Sequence, residues 1–299
     1  MTVGTFDGVH VGHRKLLAKV AALARAIAVP GGGVAAAIVF RQQPRALLQP
    51  DRPITYIQRL QDRLAMLAEA GLDAIVPVDF DPGLRELTPR RFVGELLDRL
   101  QMRHLVLGPG AAIGKDRSGD ARTLRALGRE MGFELHTVEP VLHRGQVVSS
   151  SAIRSALAEG RLDDVAAMLG RRFTIKGTVE SGERRGRQLG FPTANLAVES
   201  HSALPADGIY ATWALAPGSK VGDEKFPAAT SIGLRPTFGA GRRTVEAHLI
   251  GFRGDLYGKP LCLEFVTRLR DELKFDDVAA LTRQIERDVV DTKRTLGVS

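Results

Sequence analysis

Two segments of the chain carry residue types suited to phosphate chemistry. The first, Gly4-Thr5-Phe6-Asp7-Gly8-Val9-His10-Val11-Gly12-His13, lies where a short apolar run gives way to a helical pattern. Unpaired backbone N–H groups and the dipole at a helix start favour anions. His10 and His13, three apart, would turn both imidazoles to one side of the helix mouth, and Gly12 would let a phosphate approach the backbone closely. The second, Ser149-Ser150-Ser151-Ala152-Ile153-Arg154, sets three hydroxyls at the cap of another helix with an arginine one turn on. Alone, each has an ordinary reading, as two surface histidines or as a serine cap with a solvated arginine. Together in one α/β domain they point to stabilisation of charge on nucleotide phosphates.

A third concentration runs from Gly182 to Asn195 and reads Gly-Glu-Arg-Arg-Gly-Arg-Gln-Leu-Gly-Phe-Pro-Thr-Ala-Asn. Gly182, Gly186 and Gly190 free main-chain N–H groups to wrap phosphate, and Arg187 adds charge. Thr193 and Asn195, two apart on one face of an extended segment, present oxygens to a hard cation such as Mg2+. No Gly-Lys-Ser/Thr follows, so this is not a Walker loop, and a basic glycine-rich hairpin is the ordinary alternative. Farther on, Thr244-Val245-Glu246-Ala247-His248-Leu249 alternates, so Glu246 and His248 share one face while Val245, Ala247 and Leu249 pack inward. Phosphoryl transfer needs alignment, charge neutralisation and a group that takes the alcohol proton, a role open to Glu246. Without that context Glu246 reads as a solvated strand residue, His248 as structural or supporting, and Cys262 as a small buried or partly buried side chain.

The elements around these residues set the fold class. Strand candidates at 2–6, 34–40, 74–78, 104–108 and 133–139 alternate with helical stripes such as Leu16, Leu17, Val20 and Leu23, which is the rhythm of a mostly parallel, Rossmann-like α/β sheet. Such a sheet binds its ligand at the carboxyl ends of the strands, where both phosphate segments fall. After Gly170 the runs 172–180, 208–215, 244–250 and 261–267 are punctuated by glycine and proline, as in a small antiparallel barrel or sandwich. Val278, Leu281, Ile285, Val289 and Leu296 then form a terminal helical stripe flanked by Arg283, Glu286, Arg287 and Asp288. Two domains are expected, 1–168 and 169–299.

Composition narrows the function. The 299 residues are 44% hydrophobic, which excludes global disorder, and the single cysteine excludes an internal disulfide. The net charge of +8 divides evenly: residues 1–168 hold 22 basic and 18 acidic side chains, and the remainder 20 and 16. With one tryptophan, three tyrosines and no basic tail, nucleic acid is not the expected partner, and small phosphorylated ligands satisfy the same excess. No apolar stretch has the length of a membrane span, and a reducing cytoplasmic setting is expected. The oligomeric state is not legible.

The two phosphate segments resemble the paired signatures of the bacterial bifunctional riboflavin kinase/FMN adenylyltransferase family, the FAD synthetases. Gly-Arg-x-Leu-Gly-Phe-Pro-Thr-Ala-Asn resembles the kinase module of the same family. Pro205-Ala206-Asp207-Gly208-Ile209-Tyr210, Ser231 to Phe238, Val245-Glu246-Ala247-His248, Asp255-Leu256-Tyr257-Gly258 and Leu269 to Phe275 agree in order. The resemblance implies an α/β nucleotidyltransferase domain followed by a β-barrel riboflavin kinase domain. Riboflavin and ATP would give FMN, and FMN and ATP would give FAD, with Mg2+ as the metal. It also implies ATP-phosphate contacts for His10, His13, Gly4, Phe6, Gly12, Ser149, Ser150, Ser151 and Arg154. Thr193 and Asn195 would hold metal and phosphate beside Gly182, Gly186, Arg187, Gly190 and Pro192, Glu246 would be the base, and Arg270 would lie near the flavin.

The chain departs from the family pattern at flavin-facing positions. Phe40-Arg41-Gln42-Gln43-Pro44 has a basic residue where the family has an acidic one, and Gly108-Pro109-Gly110-Ala111 lacks the usual carboxylate and aromatic. Losing the ring at Ala111 removes stacking worth about 1 kcal/mol, and Gly110 removes a charge-assisted hydrogen bond, so weaker FMN binding is the expected direction. A riboflavin kinase with a degenerate N-terminal nucleotide-binding domain is the first alternative. A non-enzymatic flavin or nucleic-acid binder is the second.

Overall fold

The computed structural model describes residues 1–27, 32–182, 186, 189–215, 225–234 and 243–298. These fall into two compact units, Met1–Ser150 and Ser151–Ser299.

The first unit alternates strand and helix. It comprises β1 (Thr2–Gly4), α1 (Val11–Ala26), β2 (Ala36–Phe40), α2 (Arg45–Leu48), α3 (Leu60–Glu69), β3 (Ala74–Val78), α4 (Pro82–Arg85), α5 (Pro89–Leu100), β4 (His104–Leu107), α6 (Ala121–Met131) and β5 (Glu134–Thr137), then a short hairpin, β6 (Leu142–His143) and β7 (Gln146–Val147). The main sheet is parallel, in the order β3-β2-β1-β4-β5. Its pleat divides the core. Ala37, Val39 and Val106 pack with Leu17, Val20 and Leu67, while Ile38, Leu105 and Leu107 pack with Phe92, Leu96 and Leu124. Both faces are thus covered by helices, as a parallel sheet requires.

Local chemistry sets the helix ends. Thr88 caps α5 by accepting the Arg91 N–H, with Pro89 at the first helical position, and Asp120 caps α6 by accepting the Thr123 N–H. Gly132 ends α6 in the left-handed conformation, at φ 81°.

The second unit opens with α7 (Ser150–Ala158), whose first residue belongs to the first unit, and α8 (Leu162–Leu169), a helix the sequence reading did not separate. A closed antiparallel barrel follows, from β8 (Thr174–Glu180), β9 (Ala194–Ala197), β10 (Gly208–Leu215), β11 (Lys225–Leu234), β12 (Arg243–Leu249) and β13 (Pro260–Arg270), in the order β10-β11-β12-β9-β8-β13. Closure leaves no free sheet edge and decides between barrel and sandwich. Val245, Ala247 and Leu249 point into its core, with Tyr210, Ile232 and Phe265. The terminal helix α9 (Val278–Leu296) packs on β10, β11 and β13. Its apolar stripe is only partly covered, and its buried side chains are Asp288 and Thr292.

Candidate functional site

The first candidate site follows β1, where the chain order reverses: β2 and β3 lie on one side, β4 and β5 on the other. Ligands of open parallel sheets bind at such switch points. Phe6, Gly8 and Val9 all adopt positive φ, at 54°, 86° and 37°, so the strand ends at Gly4 rather than at residue 6. A left-handed valine costs on the order of 1–3 kcal/mol and persists only where its surroundings enforce it. Burial of Val9, 1% exposed, supplies that enforcement.

His10 is the N-cap of α1, its Nδ1 accepting the His13 backbone N–H at 3.3 Å. The His10 and His13 rings stack, centroids 3.6 Å apart and 20° from parallel, with Phe6 edge-on to His13 at 5.2 Å. A Cβ at Gly12 would stand 3.1 Å from the His10 ring, and one at Gly4 3.1 Å from the Phe6 ring, so both glycines make room for this stack. Burial first, then the charges of His10 and Arg63, hold the His13 imidazole well below its usual range. Its Nδ1 is buried with no hydrogen-bond partner among the described residues. A buried polar atom left this way costs free energy until something binds it, and a phosphate oxygen facing the protonated tautomer would do so.

The second phosphate segment meets the first through Ser150, whose hydroxyl donates to the Asp7 carbonyl at 2.7 Å. Ser149 precedes α7, Ser151 is exposed on it, and Arg154 reaches back to the Ser151 hydroxyl at 3.3 Å.

Two residues beneath this site were not singled out from the sequence. The buried Asp7 carboxylate accepts the backbone N–H of Ile57, at 3.0 and 3.2 Å, and of Gln58, at 3.3 Å, tying the loop before α3 to the switch point. Arg63, 1% exposed, donates from Nη2 to the Arg41 carbonyl at 2.8 Å. Its Nε and Nη1 have no hydrogen-bond partner among the described residues. The signal was present, since Arg63 falls on the stripe of Leu60, Leu64 and Leu67, where a charge has no place unless it is used. Among the positions that depart from the family pattern, Gly110 is left-handed, at φ 64°, and its carbonyl accepts from Arg117 at 2.7 Å. The exposed Arg41 lies 3.7 Å from Asp79.

The second candidate site is a cavity of about 420 Å³ at one end of the barrel, lined by Gly182, Pro192, Thr193 and Asn195 together with Val179, Leu249, Phe252, Asp255 and Tyr257. A Cβ at Gly182 would sit 2.3 Å from the Asn195 amide, so that glycine gives the amide its place. Gly186 accepts the N–H of Leu189 and Phe191 through its carbonyl, and Gly190 is left-handed, at φ 86°. Arg187 lies outside the described residues. His248 Nδ1 is 2.9 Å from the Pro192 carbonyl and its ring meets Phe191 edge-on, which fixes the turn leading into Thr193. A hydroxyl and an amide oxygen lining one cavity are a donor set suited to a hard cation, so Thr193 and Asn195 fit Mg2+.

Glu246 is not among the residues lining the cavity, yet it lies in register with Asn195 on the adjacent β9 and Ser231 on the adjacent β11, alternating with the inward-facing Val245 and Ala247. Arg270, expected from the family resemblance to lie near the flavin, is engaged by the terminal helix. Its guanidinium makes a bidentate pair with the buried Asp288, at 2.8 and 2.6 Å, and donates to the Asp271 carbonyl at 2.8 Å. These bonds tie β13 to α9. The aromatic and acidic lining residues Phe252 and Asp255 carried no assigned role in the sequence, because a chain crossing between strands has no period to read.

Residues 1–152 match the family model described as FAD synthetase, and residues 169–296 the one described as riboflavin kinase. A bifunctional riboflavin kinase/FMN adenylyltransferase of Escherichia coli (strain K12) is 33% identical over 300 aligned positions, covering 100% of this chain and 93% of that protein. The chain belongs to the bifunctional riboflavin kinase/FMN adenylyltransferase family. A family member from Pseudomonas fluorescens is 34% identical over 290 positions, covering 96% of this chain and 90% of its own. A solved structure described as a macrolide-efflux protein from Streptococcus pneumoniae superposes with a TM-score of 0.86 at 28% identity, covering 98% of this chain and 93% of that one. Among the described residues, no helix is long and apolar enough to cross a membrane. The family match runs through Arg41, Gly110 and Ala111, and nothing in the sheet or its switch point marks the N-terminal unit as degenerate.

Proposed function

We propose that the chain works as its family does, phosphorylating riboflavin to FMN and adenylylating FMN to FAD. It is an enzyme with both activities, a phosphotransferase to an alcohol and a nucleotidyltransferase. The functional division is placed between residues 168 and 169, just before Gly170 ends α8 in the left-handed conformation at φ 68°. The setting is the cytoplasm.

In the barrel, ATP lies along Gly182 and the Pro192–Asn195 turn, with Thr193 and Asn195 as protein ligands of Mg2+. Held there, a bound Mg2+ would supply neutralisation of charge on the transferring phosphoryl group. Glu246 accepts the proton of the vitamin's 5′-hydroxyl as that oxygen bonds to the γ-phosphorus and ADP leaves. Its cross-strand register with Asn195 is the single observation that carries this reading, because it sets the base beside a metal ligand. Arg270 acts on the flavin side through β13, held in place by Asp288.

For AMP transfer, His10, His13 and Ser150 of the first unit hold ATP phosphates, with Arg154 assigned to them by the family resemblance, while an FMN phosphate oxygen attacks the α-phosphorus and pyrophosphate leaves. Gly4, Phe6 and Gly12 shape the histidine stack, and Ser149 and Ser151 flank the second cradle. No side-chain nucleophile is needed, since the attacking phosphate is already anionic. Purified protein given FMN, ATP and Mg2+ tests the pair of activities. Stoichiometric FAD and pyrophosphate are expected, and no FAD from the supplied FMN, with riboflavin still converted to FMN in a parallel assay, would return the N-terminal unit to a binding role.

A further inference from the structure

Outside both candidate sites, the register of β4 against β5 gathers two imidazoles and a carboxylate that no reaction step uses. His104 opens β4 opposite Glu134, and Val106 lies opposite His136. His104 Nδ1 and His136 Nε2 are 3.1 Å apart, and Glu134 Oε2 stands 3.5 Å from each. A tetrahedral ion with bonds of about 2.0–2.1 Å needs its ligand atoms about 3.3 Å apart, and the three separations bracket that edge. The stacking geometry agrees, because the ring centroids are 5.2 Å apart at 45°, tilted rather than face to face.

We propose that His104, Glu134 and His136 form a binding site for a divalent ion of the zinc class, with a fourth position open to solvent. Two neutral imidazoles and one carboxylate suit a borderline ion and would be poor ligands for Mg2+, which prefers oxygen. The site is therefore chemically distinct from the Thr193 and Asn195 pair. It also lies at the edge of the sheet where the parallel strands begin, whereas the His10 and His13 stack follows the end of β1. Arg103, Arg125 and Arg129 line the neighbouring cavity with His104 and Glu134, but all three are exposed and their repulsion is screened by salt. The ion would clamp β4 to β5 through side chains that come from segments 30 residues apart.

The test uses the full chain, stripped with a chelator and free of nucleotide, titrated calorimetrically with Zn2+ and followed separately by the visible bands of Co2+. One site of four-coordinate character is expected, weakened at least about tenfold in His104→Ala, His136→Ala and Glu134→Gln. Glu134 is exposed, so Glu134→Gln reads the ligand set without disturbing the core. Riboflavin kinase and FMN adenylyltransferase rates measured with Mg2+ should be unchanged in all three variants. Absence of Zn2+ binding by the wild-type chain, or undiminished binding by Glu134→Gln and His136→Ala, would overturn the proposal.

Discussion

At the residue scale, the switch point is organised around a histidine kept neutral. The His13 imidazole is depressed by burial, by His10 and by Arg63, so between its folded and ordinary ranges the unfolded chain binds more protons. Stability is therefore greatest above about pH 6.5 and falls as the pH drops below that value toward the folded one. Calorimetric unfolding at pH 7.5 and 5.5 should show a smaller loss in His13→Asn than in the wild type. The imidazole of His136 is also held low and contributes the same sign, so some slope remains in the variant. Equal losses in both proteins would mean that His13 is not the titrating group. The same residue shows how far the sequence reaches. His-x-Gly-His announces a phosphate site, but not that His10 spends its Nδ1 on a helix cap, which depends on the backbone turn before α1, nor that Arg63 lies buried beneath, which depends on packing between segments some 50 residues apart.

At the element scale, strands with strong alternation or continuous apolar runs were legible and those without were not. The runs at 74–78 and 208–215 coincide with β3 and β10. By contrast, β11 holds small residues and Pro227 in a weak alternation, and β9 is four residues inside a glycine- and proline-rich stretch. Barrel closure, not propensity, makes them strands. The terminal helix was legible from its stripe, yet its key contact is polar. Asp288 is buried because it receives the Arg270 guanidinium on both oxygens and a Gln284 amide at 2.9 Å. Removing one partner of such a pair leaves a charge without compensation. Asp288→Ala should destabilise the barrel by about 3 kcal/mol in denaturant unfolding, and raise the KM for riboflavin if Arg270 serves the flavin. A variant as stable as the wild type would show that α9 is held by its apolar contacts alone.

At the scale of the whole molecule, the order of an α/β unit and a barrel was readable from the change of texture near residue 170, and the family from motifs spread over both. What the sequence could not show was which distant residues meet: Ser150 with Asp7, Glu246 with Asn195, Arg270 with Asp288. Those meetings separate the two chemistries, since every residue proposed for AMP transfer lies between Gly4 and Arg154 and every one for phosphorylation lies beyond Gly182. The separation is tested by one substitution read through two substrates. Glu246→Gln, assayed with Mg2+ and ATP and with FMN and FAD resolved, should lose at least about 100-fold in turnover from riboflavin while converting supplied FMN to FAD at the wild-type rate. Undiminished phosphorylation of riboflavin by this variant would contradict the assignment of the base and the barrel site built around it.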